Sequence, residues 1–297
     1  MLIVGVIILS LQDSLIKYMA SETSFWQLQF IRSIGNIILL FLIAKLTNGI
    51  DILFPIKWKP VYLRALTMTT CMFCFFAASP KLSFAQMAAG LYTFPLFVSF
   101  LAVIFLNERV GVWRLFALIL GSFGALLILE PWSKNFTYLQ FLPIMAGFFF
   151  ACNIILIRKY CRKESVMSLT LAVGVMFFIS ALLGILFFEL IFQNNFLKEI
   201  SPFVFIGWPS LTLIIFTFCF SCSILNIIGN ILLAKAYQTA ESSWLAPMDY
   251  SYLVFAAIWG KIFFGVWPTL LNLIGMFFIA FSGILIALRE QRKMKIN

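Results

Sequence analysis

The chain has 297 residues, 63% of them hydrophobic and 11% charged, with a net charge of +10. Soluble domains are about 45–50% apolar and about 25% charged, so this chain has too little charge to cover a water-soluble surface. It reads as an integral membrane protein, and its lack of histidine excludes a His-based triad, a His-ligated metal or haem site and an imidazole proton relay.

Crossing a bilayer takes about 20 mainly apolar residues. Ten runs qualify or nearly qualify: 1–20, 25–46, 61–79, 84–106, 112–129, 138–157, 166–189, 203–226, 242–264 and 267–288. The expected fold class is therefore an all-α polytopic membrane protein of ten transmembrane helices. The first run begins at Met1, and its Gln12, Asp13 and Lys17 make it a poor cleavable signal, with no small-residue cleavage site following. It is expected to be the first span.

A charge inside a span costs about 2.5–3.5 kcal/mol on insertion scales and calls for a partner, a wet cavity or a function. Asp13 and Lys17 stand at i, i+4 and share a face. They form either a self-neutralising pair or one wall of a substrate cavity in which Asp13 exchanges a proton. Arg32 lies seven residues into the second run, with Gln29 and Asn36 on roughly the same face. A snorkelling arginine would lie nearer an end, which leaves a structural partner or recognition of an anion.

Cys71 with Cys74, and Cys219 with Cys222, form C-x-x-C pairs among Phe, Met and Ser, away from the polar settings that activate thiols. No structural disulfide, metal site or cofactor is expected. Tyr92 in the fourth run, Asn153 in the sixth, and Asn226 with Asn230 in the eighth either line a cavity or pack between helices. Glu108, beside Arg109, reads as a turn or helix cap, and Glu189 as interfacial. The stretch 203–241 is one long apolar run in which Pro209 allows several helix starts.

Asp249 stands out in the ninth run. It follows Pro247, which withholds a backbone N–H and loosens the helix, and Ser242, Ser243, Trp244, Tyr250 and Tyr252 are close by. A carboxylate there could bind an ammonium group by charge and cation–π contact. It could equally take up and release a proton, or form a plain salt bridge to Arg32 or Lys17.

With a cytoplasmic N-terminus, the inward segments hold fifteen Lys and Arg and the outward loops three, Lys81, Lys134 and Lys198. The positive-inside rule then places both termini in the cytoplasm, in a cytoplasmic (inner) membrane. The net positive charge reflects topology, and no nucleic-acid partner is expected. The chain also matches itself at long period. Tyr92-Thr93-Phe94-Pro95 falls opposite Tyr250-Ser251-Tyr252-Leu253 at an offset of 158, and Gly124 opposite Gly283 at 159. The expected organisation is a five-helix unit at 1–130, a second at 138–290 inserted with inverted orientation, and a basic cytoplasmic tail at 291–297.

Leu106-Asn107-Glu108-Arg109-Val110 resembles the glutamate-centred turn of the drug/metabolite transporter superfamily, EamA type. So do Tyr92-Thr93-Phe94-Pro95 before it and Gly121 with Gly124 after it. The first helix with Asp13 and Lys17, the Phe30-Ile31-Arg32 stretch and Ala246-Pro247-Met248-Asp249-Tyr250 are similar to the same family. The resemblance spans nearly the whole chain and implies a ten-helix, two-repeat secondary transporter with a central cavity. One departure is Gly265-Val266-Trp267-Pro268, which stands where the second repeat of that family usually carries a glutamate.

The function these readings favour is secondary transport of a small polar organic solute by alternating access, without ATP, since no G-x-x-x-x-G-K motif is present. The partners are that solute, the lipid bilayer and a coupling proton. Acidic and basic groups together favour a zwitterionic or amine-bearing metabolite such as an amino acid. An organic cation, or a nucleoside-type metabolite such as S-adenosylmethionine, is the alternative. An intramembrane lipid-modifying enzyme would need a nucleophile, base or metal cluster, which lack of His and of acidic clusters disfavours. A membrane scaffold would carry no polar face at the midplane.

Overall fold

The structure is a computed structural model that describes residues 1–47, 49–107, 112–130, 132, 137–192, 198, 201–239 and 248–294. Every regular element among these residues is a helix. We number the main ones α1 (Leu2–Tyr18), α2 (Phe25–Leu46), α3 (Trp58–Ala77), α4 (Phe84–Leu91), α5 (Phe94–Leu106) and α6 (Val112–Leu129). They continue as α7 (Leu142–Tyr160), α8 (Val166–Leu186), α9 (Leu213–Thr239), α10 (Ser251–Phe264) and α11 (Leu270–Met294). Seven helical segments among the described residues are long and apolar enough to cross a membrane, and three shorter apolar helices accompany them, at Leu115–Leu129, Ser251–Phe264 and Leu270–Leu285. The chain is a multi-pass membrane protein.

Local chemistry sets the helix starts. The Ser24 and Ser165 hydroxyls accept the Gln27 and Ser168 N–H groups at the heads of α2 and α8. Ser83 and Gln86 cap α4 reciprocally. The fourth apolar run is not one helix. It breaks at Tyr92 and Thr93, because Pro95 has no N–H to continue the ladder of α4, and the Thr93 hydroxyl donates to the Gly90 carbonyl at 2.7 Å. α5 then ends on Asn107 and α10 on Gly265, both in the left-handed conformation, with φ of 54° and 68°.

The eighth run also differs from expectation. Its helix begins at Leu213 instead of 203, after a single turn at Pro202–Phe205. Side chains capture the intervening backbone. The Gly207 and Pro209 carbonyls accept from Ser24 Oγ at 2.7 Å and Gln27 Nε2 at 2.8 Å, and the Trp208 N–H donates to Glu189 Oε1 at 2.7 Å. Those groups are anchored to the head of α2 and the end of α8, so they cannot join α9.

The helices pack in a definite pattern. α1 lies against α9 and α10, α2 against α8 and α9, α3 against α7 and α8, and α7 also against α4 and α5. α4 meets α10, and α6 meets α11. The α6–α11 seam is tight at Gly124 and Gly275, where a Cβ on either would lie 2.7 Å from the other's carbonyl oxygen. Small residues let membrane helices approach this closely. All six cysteines are free thiols.

Candidate functional site

A cavity of about 270 Å³ opens between α1, α2, α3, the α4–α5 break, α7, α8, α9 and α10. Its size falls near the lower end of small-molecule pockets. The wall is apolar over much of its area, with Val6, Leu9, Met68, Met72, Val173 and Leu233 contributing. Set into it are four charged side chains, Asp13, Arg32, Arg64 and Asp249.

Asp13 is held by both oxygens. Tyr252 Oη donates to Oδ2 at 2.6 Å, and Gln12 Nε2 donates to Oδ1 at 2.9 Å. Gln12 in turn accepts from Asn226 Nδ2 at 2.8 Å, and Asn226 Oδ1 accepts from Asn36 Nδ2 at 3.4 Å. The result is a strap of amides across α2, α9 and α1 in which every donor points toward the carboxylate. Asn230 Nδ2 donates to the Asn226 carbonyl at 2.8 Å, one turn further along α9.

The two arginines are treated differently. Arg64 is tied down, its Nε donating to Asn153 Oδ1 at 2.6 Å and its Nη1 to the Leu169 carbonyl at 2.8 Å. Arg32 is 3% exposed, and its Nε has no hydrogen-bond partner. Its guanidinium lies 5.4 Å from the Phe177 ring centroid and is attracted by the Asp13 carboxylate. Aromatic rings complete the wall. Tyr92, at the break between α4 and α5, stacks on Tyr252 with centroids 5.2 Å apart and planes 24° off parallel. Phe94 and Phe150 line the cavity beside it and meet edge to face at 4.9 Å.

Six of the ten residues expected in the site from sequence line this cavity: Asp13, Arg32, Tyr92, Asn226, Asn230 and Asp249. Asn153 stands one step behind, fixing Arg64. Lys17 is elsewhere, and the self-neutralising Asp13–Lys17 reading does not describe it. Its Nζ donates to the Ser79 carbonyl and, at 2.8 Å, to the Leu82 carbonyl, with the Phe264 ring 5.1 Å away. It thereby ties the end of α1 to the α3–α4 turn and to α10. Tyr250 is buried, with its hydroxyl against Gly283 and its ring edge-on to Tyr92 at 5.6 Å. Trp244, Pro247 and the Glu108–Arg109 turn lie outside the described residues.

Arg64, Gln12, Asn36 and Tyr252 were not among the expected site residues. Arg64 stands at the inner end of the run 61–79 and counts among the basic residues that set topology. The helix starts at Trp58, which carries Arg64 inward. Asn36 shares the Arg32 face by its i, i+4 spacing, and that was the available signal. Among the described residues no group of three or more His, Cys, Asp or Glu is placed to hold a metal ion.

Residues 1–130 match the EamA-like transporter family. Over 210 residues the chain is 26% identical to a riboflavin transporter of Vibrio cholerae, covering 71% of this chain and 64% of that protein. It is 26% identical over 209 residues to an S-adenosylmethionine uptake transporter of Rickettsia bellii, covering 68% and 63%. It is 21% identical over 268 residues to a pseudopaline exporter of Pseudomonas aeruginosa, covering 90% and 87%. The chain thus spans 64% of the length of the Vibrio cholerae protein and 63% of a second riboflavin transporter, from Rhizobium johnstonii.

Proposed function

We propose, from the match of residues 1–130 to the EamA-like transporter family, that the chain is a secondary transporter, not an enzyme. It moves a small polar organic solute across the cytoplasmic membrane by alternating access around the central cavity. The observation that carries the reading is the cavity itself, a charged and hydrogen-bonding chamber set inside an apolar bundle. Relatives named for riboflavin, S-adenosylmethionine and pseudopaline agree in being transporters while differing in solute.

Ten spans in two inverted units, 1–130 and 138–290, belong to the same proposal. The packing pattern supports it. Let the spans of the first unit be α1, α2, α3, α4–α5 and α6, and those of the second α7 to α11. Exchanging each span with its counterpart turns the α1–α9 contact into α7–α3, α1–α10 into α7–α4/α5, and α2–α9 into α8–α3, all of which exist. The α2–α8, α4–α10 and α6–α11 contacts map onto themselves. The left-handed caps agree too, since Asn107 and Gly265 differ by the same 158 residues that separate Tyr92 from Tyr250. An odd number of spans per unit inverts the second copy, which is the arrangement that allows rocking about a midplane site. Both termini then face the cytoplasm, with the basic tail at 291–297, and Asp13 and Asp249 are the candidates for proton coupling.

Gly174 offers a direct test. It lines the cavity, and a Cβ built on it meets only Ile37 Cγ1, at an ordinary 3.5 Å. Gly174→Phe should fill the chamber and leave the fold intact. Proteoliposomes loaded with unlabelled cell metabolite extract and challenged with ¹³C-labelled extract would be read by mass spectrometry. Wild type should accumulate labelled solute above protein-free liposomes, and Gly174→Phe should not. Equal accumulation in both, or none with wild type, rejects transport through this cavity.

A further inference from the structure

We infer that the cavity selects an organic anion, a carboxylate carried on a flat ring, with Arg32 as its counter-charge and the Tyr92–Tyr252 stack as its platform. The inference rests on the transport reading and names the solute class of the same site. It begins from an asymmetry. Asp13 is better satisfied than Arg32, with both oxygens accepting hydrogen bonds from the protein. Arg32 is 3% exposed, yet among the described residues none accepts a hydrogen bond from its guanidinium, and its Nε is unpartnered.

A buried cation without hydrogen bonds is costly, and proteins pair such groups or let them meet a ligand. The group that fits a guanidinium best is a planar acceptor pair, which a carboxylate supplies in bidentate fashion. An amine-bearing solute would meet the reverse situation. The cation would face an unpartnered guanidinium, the Asp13 oxygens already hold Tyr252 and Gln12, and Asp249, the other carboxylate of the wall, is not free either. Arg64 adds a second positive charge to the wall, and its bonds to Asn153 and Leu169 keep it at a fixed place there.

The ring part of the inference has its own geometry. Tyr92 and Tyr252 are nearly parallel, and both line the cavity together with Phe94, Phe150 and Phe177. Aromatic faces attract a flat ring in offset or edge-on contact. Tyr92 sits at the α4–α5 break and Tyr252 on α10, so the platform draws on both halves of the chain.

Matched pairs that share a ring and differ in charge test this directly. Benzoate and benzylamine form one pair, and indole-3-acetate and tryptamine the other. Binding to the purified full chain in detergent is measured by titration calorimetry for wild type, Arg32→Gln and Arg32→Lys. The acids should bind at least tenfold more tightly than the amines. Arg32→Gln should erase that preference, and Arg32→Lys should keep most of it. Amines binding as tightly as acids, an acid preference surviving in Arg32→Gln, or no binding by either series overturns the inference. Arg32→Gln with an intact melting transition shows that a loss of binding is not a loss of fold. The Gly174→Phe counterflow result is independent of all these outcomes. If the plug blocks transport while amines bind as well as acids, only the solute class falls.

Discussion

Replacing Arg32 by methionine should leave the ligand-free protein at least as heat-stable as wild type while abolishing transport. The expectation follows from what surrounds the guanidinium. An arginine locked in a structural ion pair loses about 3–5 kcal/mol when it is removed, because its partner is left buried and uncompensated. Here Asp13, the carboxylate that attracts it, keeps its hydrogen bonds from Tyr252 and Gln12 whether or not Arg32 is charged. What Arg32→Met removes is a 3%-exposed cation whose Nε has no partner. An apolar residue of similar length relieves that desolvation and fills the same volume beside Phe177. Differential scanning fluorimetry in detergent, paired with the counterflow assay, separates the two roles. A fall of several degrees in the melting midpoint would make Arg32 a structural residue and remove it from the site.

The second large effect is expected at Gly283, which packs against Tyr250. A Cβ built there would lie 1.5 Å from Tyr250 Oη and 2.1 Å from its Cζ, well inside van der Waals contact. The tyrosine cannot simply swing aside. It is buried, and its ring stands edge-on to Tyr92, which is itself stacked on Tyr252. Gly283→Ala should therefore cost about 1–3 kcal/mol or more through overpacking, seen as a lowered melting midpoint. Adding Tyr250→Leu to the same chain removes the colliding ring and should recover part of the loss. A Gly283→Ala protein that melts within a degree of wild type would refute this packing.

Much of the architecture could be read from apolar run length alone, because a span in lipid must satisfy its backbone internally and only a helix does so within one segment. The ends of the runs were less legible. Apolar content does not distinguish a helix from a segment whose carbonyls are captured by side chains, so 206–212 read as helix although Ser24, Gln27 and Glu189 hold it open. The break at Tyr92 was hidden in the same way, although Pro95 signalled it. For the site, insertion cost singled out Asp13, Arg32 and Asp249, and all three line one cavity. Lys17 carried the same signal and went to the α3–α4 turn, since spacing along one helix does not say which neighbour each face will meet. Arg64 was missed because a basic residue near the inner end of a span reads as a topology charge, whereas α3 begins at Trp58 and carries it inward.

The amide strap from Asn36 through Asn226 and Gln12 to Asp13 has a consequence for proton movement. A hydroxyl or a water accepts and donates through one atom, so a chain of them passes a proton along by switching partners. A carboxamide accepts on oxygen and donates from nitrogen, and it has no spare position for an incoming proton. The strap is therefore an insulator. It delivers dipoles to the Asp13 carboxylate on one side and conducts nothing. On the other side stands the Tyr252 hydroxyl, the only link to Asp13 in this network that can relay. Any proton that reaches Asp13 through this network of side chains arrives from the aromatic side of the chamber, where the solute itself would lie.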